Sequence, residues 1–298
     1  NTHKYVRPSL HTRPLISIKK GRHPVVEMLL PSTEKFIPND LCINSCKNQI
    51  HIITGPNMSG KSTYLRQIGL IVLMAQIGSF VPAESAKIGI VDRLFTRVGA
   101  SDNLSAGEST FLVEMSEAAN ILNNATNRSL ILLDEIGRGT ATFDGLSLAW
   151  SIIEYLHETD GINARTLFAT HYHELSSLEN LMERVENHYV QVKEFDDKIV
   201  FLRSIAKGSG NKSYGIHVAQ MAGLPAVVIQ RAIDILNHHI DESKTKIKGL
   251  TPTNMSTRLT SERGESKIRK VLNRIDVNNM TPIEALQTLN ALKNDIDI

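Results

Sequence analysis

The sequence is poor in cysteine, and this limits the kinds of site that it can build. Only Cys42 and Cys46 are present, and no second pair of cysteine or histidine residues lies near them at the spacing of a zinc module. The two residues are four apart in a strand-like segment, so they share a face and could hold a metal together. Two buried free thiols are the better-supported expectation, which suits a reducing cytoplasm.

An excess of charge and a long apolar run are also missing. Lysine and arginine number 33 against 31 aspartate and glutamate residues, so the chain lacks the basic surface of a dedicated nucleic-acid binder. No apolar stretch reaches the length of a membrane span, and no signal segment opens the chain. The 298 residues begin with Asn1 instead of Met, which fits a fragment of a longer protein, and they suffice for one large or two ordinary domains.

The most informative feature that is present is a glycine-rich loop with the pattern G-x-x-x-x-G-K-S. It follows the apolar segment Ile50–Thr54 and precedes a helical-looking stretch, Thr63–Ile77. The residues expected around the phosphates of a bound nucleotide are Gly55, Pro56, Asn57, Met58, Ser59, Gly60, Lys61, Ser62 and Thr63. In this P-loop pattern Lys61 reaches the β- and γ-phosphates and the Ser62 hydroxyl binds Mg²⁺. A glycine-rich turn formed by chance is the alternative, and the flanking strand and helix argue against it.

A second chemical pattern is the segment Ser129–Glu135, in which apolar residues precede two carboxylates. It predicts a buried parallel strand with its acids at the carboxyl end, where open α/β sheets bind ligands. In this Walker B pattern Asp134 would hold Mg²⁺ through its water shell, and Glu135 would orient or deprotonate the attacking water. Adjacent strand residues point to opposite faces, so both acids cannot be metal ligands in a regular strand. Alone, such a pair is often a surface feature.

A histidine follows a third predicted strand, Arg165–Thr170. His171, at that strand's carboxyl end, is well placed to donate a hydrogen bond to a γ-phosphate. With His173 and Glu174 it could instead ligate a metal. The phosphate-sensing role is favoured, and His173 alone is compatible with an ordinary core histidine.

The predicted amphipathic helix Phe111–Asn124 begins after a polar segment that ends in Ser109 and Thr110. Either residue could serve only as an N-cap, or the helix start could face a second anion. The composition of this segment does not distinguish an N-cap from an anion-binding helix start.

The remaining segments predict mostly structural elements. Leu15–Ile18 is expected to be a short strand, and residues 21–26 a turn into another strand. Phe36, before the strand Leu41–Cys46, could stack on an adenine ring or pack in the core. Further predictions are a hairpin formed by Val185–Val192 and Lys198–Ile205, the two helices Ser213–Ala222 and Pro225–His239, a polar linker at 241–266, and short terminal helices at 267–274 and 282–294.

The second of the two helices before the linker is apolar, so we expect it to contact a partner protein and not to read DNA bases.

Several motifs together resemble a known family. They are TGPNMSGKST at 54–63, QIGSFVPA at 76–83, FTRVGA at 95–100, STFLVEM at 109–115, DEIGRGT at 134–140, ATHY at 169–172 and KSYGI at 212–216. This set is similar to the ATPase portion of the MutS family of bacterial mismatch-repair proteins. GRHPV at 21–25 resembles the entry to that domain, and TPIEAL at 281–286 resembles the family's C-terminal oligomerising tail.

The resemblance implies a fold and a domain order. The fold would be α/β, a P-loop NTPase of the ABC-ATPase type with a mainly parallel sheet flanked by helices, a C-terminal helix-turn-helix and a short helical tail. Residues 1–240 would form the ATPase domain, with a helix-turn-helix dimer contact at 211–240. The linker would span 241–266 and the oligomerisation tail 267–298.

The resemblance also implies roles for individual residues. Phe36 matches the adenine-stacking aromatic of the family, while the histidine expected on the other side of the base is replaced by Arg203, whose guanidinium can also stack. Ser109 matches a signature serine that enters the nucleotide site of the partner subunit. The implied catalytic residues are Glu135, His171 and Lys61, and the implied metal ligands are Ser62 and Asp134.

The implied activity is Mg²⁺-dependent ATP hydrolysis by a homodimer, with ATP and ADP bound in two composite sites. In the full-length protein this cycle would act on mismatched DNA, with a MutL-type matchmaker as partner and a tetramer formed through the tail. The expected location is the bacterial cytoplasm, associated with the nucleoid and with no membrane contact. Two alternatives are a MutS-paralogue ATPase acting in recombination control and a nucleotide-gated dimerisation module with negligible turnover.

Overall fold

The computed structural model describes residues 4–31, 33–99, 110–195, 198–210 and 214–243, with the backbone alone at 194–195, 198–199 and 238–243. The described residues belong to the first of two compact units, Asn1–Thr253. The strands are β1 Ser9–His11, β2 Leu15–Gly21, β3 Asn39–Asn44, β4 Ile50–Thr54, β5 Ser85–Gly89, β6 Leu94–Arg97, β7 Leu130–Asp134, β8 Arg165–Thr170, β9 Val185–Phe195 and β10 Lys198–Lys207. The helices are α1 Pro24–Leu29, α2 Lys61–Gln76, α3 Thr110–Asn124, α4 Thr142–Glu158, α5 Gly215–Met221 and α6 Ala226–Ser243, with a 3₁₀ segment at His173–Asn180.

A six-stranded sheet carries the predicted chemical motifs. Its strand order is β10-β9-β4-β8-β7-β6, and every neighbouring pair is parallel except the hairpin of β9 and β10. The strand β8, which is last of the three motif strands in the sequence, lies between β4 and β7. The loops that follow these three strands are therefore adjacent at one edge of the sheet.

Both faces of this sheet are buried, which explains why its central strands are apolar without alternation. On one face, residues such as Ile53, Leu132 and Leu167 pack against α2. On the other face, Ile52 and Phe168 pack with α4 and the 3₁₀ segment. The structure thus confirms a mixed α/β fold with a mainly parallel sheet between helices.

A second sheet of order β1-β5-β2-β3 contributes to the α2 side of the core, and it corrects two predictions. Residues 21–26 do not turn into a strand, because α1 begins at Pro24, where the missing N–H of proline costs no hydrogen bond. His23 caps this helix, since its Nδ1 accepts hydrogen bonds from the backbone N–H groups of Val25 and Val26. Cys42 and Cys46 are exposed, not buried. Cys42 lies on the face of β3 that is turned away from the core, and Cys46 lies in the turn after β3.

At the end of the described residues, α5 and α6 lie in contact with each other. Much of the apolar surface of α6 is exposed, including Val227 at 75% and Val228 at 48%. The helix extends to Ser243 and so includes the first residues of the predicted linker, while the rest of the linker and the tail lie outside the described residues. Among the described helices, none is both long and apolar enough to cross a membrane.

Candidate functional site

The P-loop residues and the acidic pair line one cavity of about 420 Å³ at the edge where β4 and β7 end. Its lining includes seven of the nine predicted P-loop residues, namely Pro56, Asn57, Met58, Gly60, Lys61, Ser62 and Thr63. Asp134 and Glu135 line the same cavity. The structure therefore brings together two motifs that are about 70 residues apart in the sequence.

The helix α2 starts at this cavity without a side-chain cap. Gly60 precedes its first residue with φ of +104°, a left-handed conformation that favours glycine. The unpaired N–H groups of the first turn and the positive end of the helix dipole together favour an anion at this place.

Lys61 lies almost completely buried at the bottom of the cavity. Its Nζ donates hydrogen bonds to the carbonyl oxygens of Gly55 at 2.6 Å and Pro56 at 3.0 Å, and it lies 3.7 Å from Oε1 of Glu135. Burial lowers the pKa of Lys61 from its ordinary value, and the nearby Glu135 carboxylate opposes this shift. A phosphate group would offer the ammonium group stronger acceptors than two backbone carbonyls do.

Asp134 and Ser62 form a donor set that fits Mg²⁺. Oδ1 of Asp134 is buried and accepts no hydrogen bond from the described residues, which leaves a carboxylate oxygen free to bind a cation or its water. Burial raises the pKa of Asp134, whereas the Ser62 hydroxyl and the charge of Lys61 oppose that rise. An added cation would favour the ionised carboxylate further.

Glu135 lies outside the regular strand, and this changes where its side chain points. Its φ is +54°, a conformation that non-glycine residues rarely adopt and that costs of the order of 1–3 kcal/mol. Because the chain departs from strand geometry after Asp134, both carboxylates line the same cavity and do not face opposite sides of the sheet. Glu135 is held by a 2.6 Å ion pair with the exposed Arg138 and by its backbone N–H, which bonds Ala169.

The sequence interpretation missed Glu114, which lies on α3 and lines the same cavity. Its Oε1 accepts a 2.6 Å hydrogen bond from the backbone N–H of Gly137, two residues after Glu135. Its Oε2 lies 3.6 Å from Arg97 at the end of β6. A signal was present in the sequence, since Glu114 is a carboxylate on the face of an amphipathic helix that also carries Ala118 and Ile121.

Phe36 and Arg203 line a second cavity of about 220 Å³ that shares Met58, Gly60 and Thr63 with the first. Arg203 is exposed and has φ of +55°, within an irregularity of β10 between Phe201 and Ile205. The side chain of Asn39 stabilises this irregularity. It donates to the carbonyl of Arg203 at 3.0 Å and accepts from the N–H of Ile205 at 2.7 Å.

Gln67 also lines this second cavity, and it was not predicted. Both polar atoms of its amide are buried and make no hydrogen bond with the described residues.

His171 follows β8, between the loops of β4 and β7, but it does not line the cavity that holds Lys61. It lines a third cavity of about 320 Å³ on the other side of the loop residues Gly55, Pro56 and Asn57. Loss of hydration lowers the pKa of His171, an effect that Glu135 opposes, so the ring is neutral near pH 7. Among the described residues, His171, His173 and Glu174 do not converge as metal ligands.

Of the nine predicted P-loop residues, two do not line the cavity that holds Lys61. Ser59 is buried in the loop. The carbonyl oxygen of Gly55 accepts a hydrogen bond from Nζ of Lys61. Ser109 lies outside the described residues.

Comparison with known proteins agrees with these motifs. The family described as MutS domain V matches residues 51–239, and the DNA mismatch repair protein MutS C-terminal region matches residues 261–295. Relatives called DNA mismatch repair protein MutS include those of Bacteroides thetaiotaomicron, Salinibacter ruber and Chlorobaculum tepidum. They are 52%, 51% and 54% identical to this chain over 97%, 99% and 97% of its length.

The chain covers 35%, 36% and 33% of these three relatives, so it spans about a third of their length. The similarity extends over nearly all of the chain and includes both the loop before α2 and the acidic end of β7. The chain therefore belongs to the MutS family of DNA mismatch-repair proteins.

Proposed function

We propose that this chain binds and hydrolyses ATP with Mg²⁺ in the cavity between the P-loop and Glu135. The observation that carries the proposal is the convergence of a buried lysine, an uncapped helix start and two carboxylates on one cavity. The buried lysine and the helix start favour a polyphosphate, and the two carboxylates supply a metal ligand and a base.

Each of these residues has a distinct task in the proposed reaction. Lys61 would bind the β- and γ-phosphates, and Ser62 and Asp134 would hold Mg²⁺, which would supply positive charge against the phosphate oxygens. Glu135 orients a water molecule and takes its proton as the water attacks the γ-phosphorus, and ADP leaves. His171 lines the neighbouring cavity across Pro56 and Asn57, so its proposed hydrogen bond to the γ-phosphate or the phosphate product requires a movement that brings its ring past this loop.

The base of the nucleotide would lie in the cavity of Phe36 and Arg203. That cavity adjoins the phosphate-binding cavity through the loop residues that the two share, so one nucleotide could occupy both. The aromatic ring and the guanidinium plane are both suited to stacking on adenine.

Calorimetric titration with ATP, inorganic triphosphate and Mg²⁺ tests this assignment. We expect Lys61→Met to weaken binding of both ligands at least about tenfold, because it removes charge-assisted hydrogen bonds. We expect Phe36→Ala to weaken ATP roughly fivefold or more while leaving triphosphate unchanged, because only ATP has a base to stack. Phe80→Ala is the matched control, since Phe80 is 53% exposed and lines neither of these two cavities. Unchanged ATP affinity in Lys61→Met would refute the assignment.

We further propose that two chains form a homodimer in which Ser109 of one subunit completes the nucleotide site of the other. Exposed apolar residues support such a contact, since Met58, which lines the cavity, is 86% exposed and Phe143, in the first turn of α4, is 82% exposed. The exposed apolar surface of α6 supports a second contact through the proposed helix-turn-helix at 211–240.

Light scattering on the Glu135→Ala variant tests the dimer. Because this change should block hydrolysis and keep ATP bound, we expect Mg·ATP to double the molar mass of the variant. An added Ser109→Arg change should abolish that rise, because the larger side chain would not fit at the shared site. Ser85→Arg, an exposed serine on β5, should leave the rise intact. A monomer under every condition, or a dimer that survives Ser109→Arg, would contradict the composite site.

In a protein of the length of its relatives, we propose that this ATPase cycle drives conformational change in a mismatch-recognition machine. Mismatched DNA, a MutL-type partner and tetramer formation through the tail belong to that larger protein. Family membership supports this role.

A further inference from the structure

A second cluster of chemically reactive side chains lies away from the cavity just described. His51 is on β4, and Glu186 and His188 are on the neighbouring parallel strand β9. His51 and Glu186 are register partners, and His188 is two residues further along. Because side chains alternate along a strand, all three project from the same face of the sheet.

The three side chains approach one another at distances typical of metal ligands. Oε2 of Glu186 lies 3.6 Å from Nε2 of His51 and 3.2 Å from Nε2 of His188. Two ligand atoms that bind zinc tetrahedrally are about 3.4 Å apart. Within the described part of the chain, these residues form the one group of three potential ligands whose ligand atoms all lie within 4.8 Å of one another.

The polar atoms of this cluster are incompletely satisfied. Nε2 of His51 is buried and has no hydrogen-bond partner in the described residues, although it faces the Glu186 carboxylate. An unpaired polar atom in the interior costs free energy that a bound cation would recover.

The protonation states also suit a cation. Burial lowers the pKa of His51 to about 3 and lowers that of His188, so both rings are neutral near pH 7 and can offer a lone pair. Burial alone would raise the pKa of Glu186, but the hydrogen bond from Lys207 opposes this rise and the pKa is lowered overall, so the side chain is ionised.

We propose that His51, Glu186 and His188 bind one divalent transition-metal ion of the zinc type, with water completing the coordination. Two imidazoles and one carboxylate are a ligand set that zinc accepts. The ion would join β4, which leads into the P-loop, to β9 of the edge hairpin. This site is independent of the proposed nucleotide site.

Two features of the structure define how the ion would enter. The imidazole rings are stacked, with centroids 4.3 Å apart and planes at 22°, so they must open for both lone pairs to meet one ion. The His188 side chain is 17% exposed and has solvent on one side for this movement. Lys207 pairs with Glu186 and competes with the ion, but its side chain is 68% exposed and can turn into solvent.

The test is a zinc titration of the nucleotide-free chain against a chromophoric chelator, in a Cys42→Ser/Cys46→Ser background that removes the two thiols. We expect one zinc ion per chain. Glu186→Gln and His188→Gln should each weaken zinc binding by more than about tenfold. Loss of a residue that only supports a ligand costs roughly tenfold, and loss of a ligand itself should cost more. His173→Gln, a histidine outside the cluster, should leave the affinity unchanged.

A further variant distinguishes loss of a ligand from loss of folding. Lys207→Gln removes the competing positive charge, so it should tighten zinc binding by at least roughly fivefold, which is the effect in water of one unit charge on another about 4 Å away. X-ray absorption of the zinc-loaded chain should show two imidazole ligands. Absence of stoichiometric binding, binding that Glu186→Gln and His188→Gln leave unchanged, or weaker binding in Lys207→Gln would each overturn the proposal.

Discussion

Replacement of Glu135 by Gln is expected to lower the turnover of Mg·ATP by at least about 100-fold, because a general base contributes roughly 10²–10⁴-fold to such a reaction. The substitution keeps the shape of the side chain and its position at the cavity wall but removes the proton acceptor. We expect ATP affinity to stay the same or to rise, since the change removes a negative charge near the phosphates. Phosphate release at saturating ATP measures the first effect, and calorimetry measures the second.

Glu84→Gln is the matched control for this experiment. Glu84 is an exposed acid that pairs with Lys20 near the second sheet and lines none of the three cavities described above. Its replacement should leave turnover unchanged. If Glu135→Gln retained more than about a tenth of the turnover, the base would have to be another group; if the unaltered chain bound ATP without turnover, the site would be a binding module.

The largest expected effect on stability belongs to Gly145→Ala. Gly145 lies in the first turns of α4, and a Cβ there would come within 2.1 Å of the carbonyl oxygen of Gly137 and 2.2 Å of the hydroxyl of Tyr172. The loop at Gly137 cannot move aside easily, because its N–H bonds Glu114 and its carbonyl accepts from Tyr172 at 3.0 Å. We expect a loss of about 3 kcal/mol or more in the free energy of unfolding, at the upper end of overpacking effects.

Urea denaturation followed by circular dichroism measures this loss. Gly215→Ala serves as the comparison, because a Cβ at Gly215 meets no atom within 4 Å and should change stability by less than about 1 kcal/mol. Turnover of the Gly145→Ala variant should also fall at temperatures where it remains folded, since the loop that carries Glu135 is displaced. Equal stability of the two alanine variants would show that the contact between α4 and this loop is looser than the structure describes.

The sequence by itself predicted the parts of the site that depend on neighbours in the chain. The strand before Gly55, the helix after Gly60 and the buried strand that ends at Asp134 each follow from local patterns of apolar residues, glycine and carboxylates. These patterns are reliable because a strand buried on both faces must be continuously apolar, and a tight turn into a helix needs glycine where φ is positive. The misassigned strand near residue 24 shows the limit of local reasoning, since the valines after Pro24 favoured a strand while proline and His23 started a helix.

Only the tertiary structure decided which of these parts meet. Strand order places β8 between β4 and β7, and the irregular backbone at Glu135 turns its carboxylate toward Lys61. Likewise, packing of α3 brings Glu114 to the loop after the acidic pair. The side chain of Asn39 holds the part of β10 that carries Arg203, which is 164 residues away in the sequence.

The cluster of His51, Glu186 and His188 is the clearest case of this difference. Its members are ordinary strand residues in the sequence, and they become neighbours only because β4 and β9 pair in one register. A shift of that register by one residue would turn the side chains of β9 to the other face of the sheet. Pairing between distant strands is selected by the packing of the whole core, so residues that meet across strands are determined by the fold and not by their local sequence.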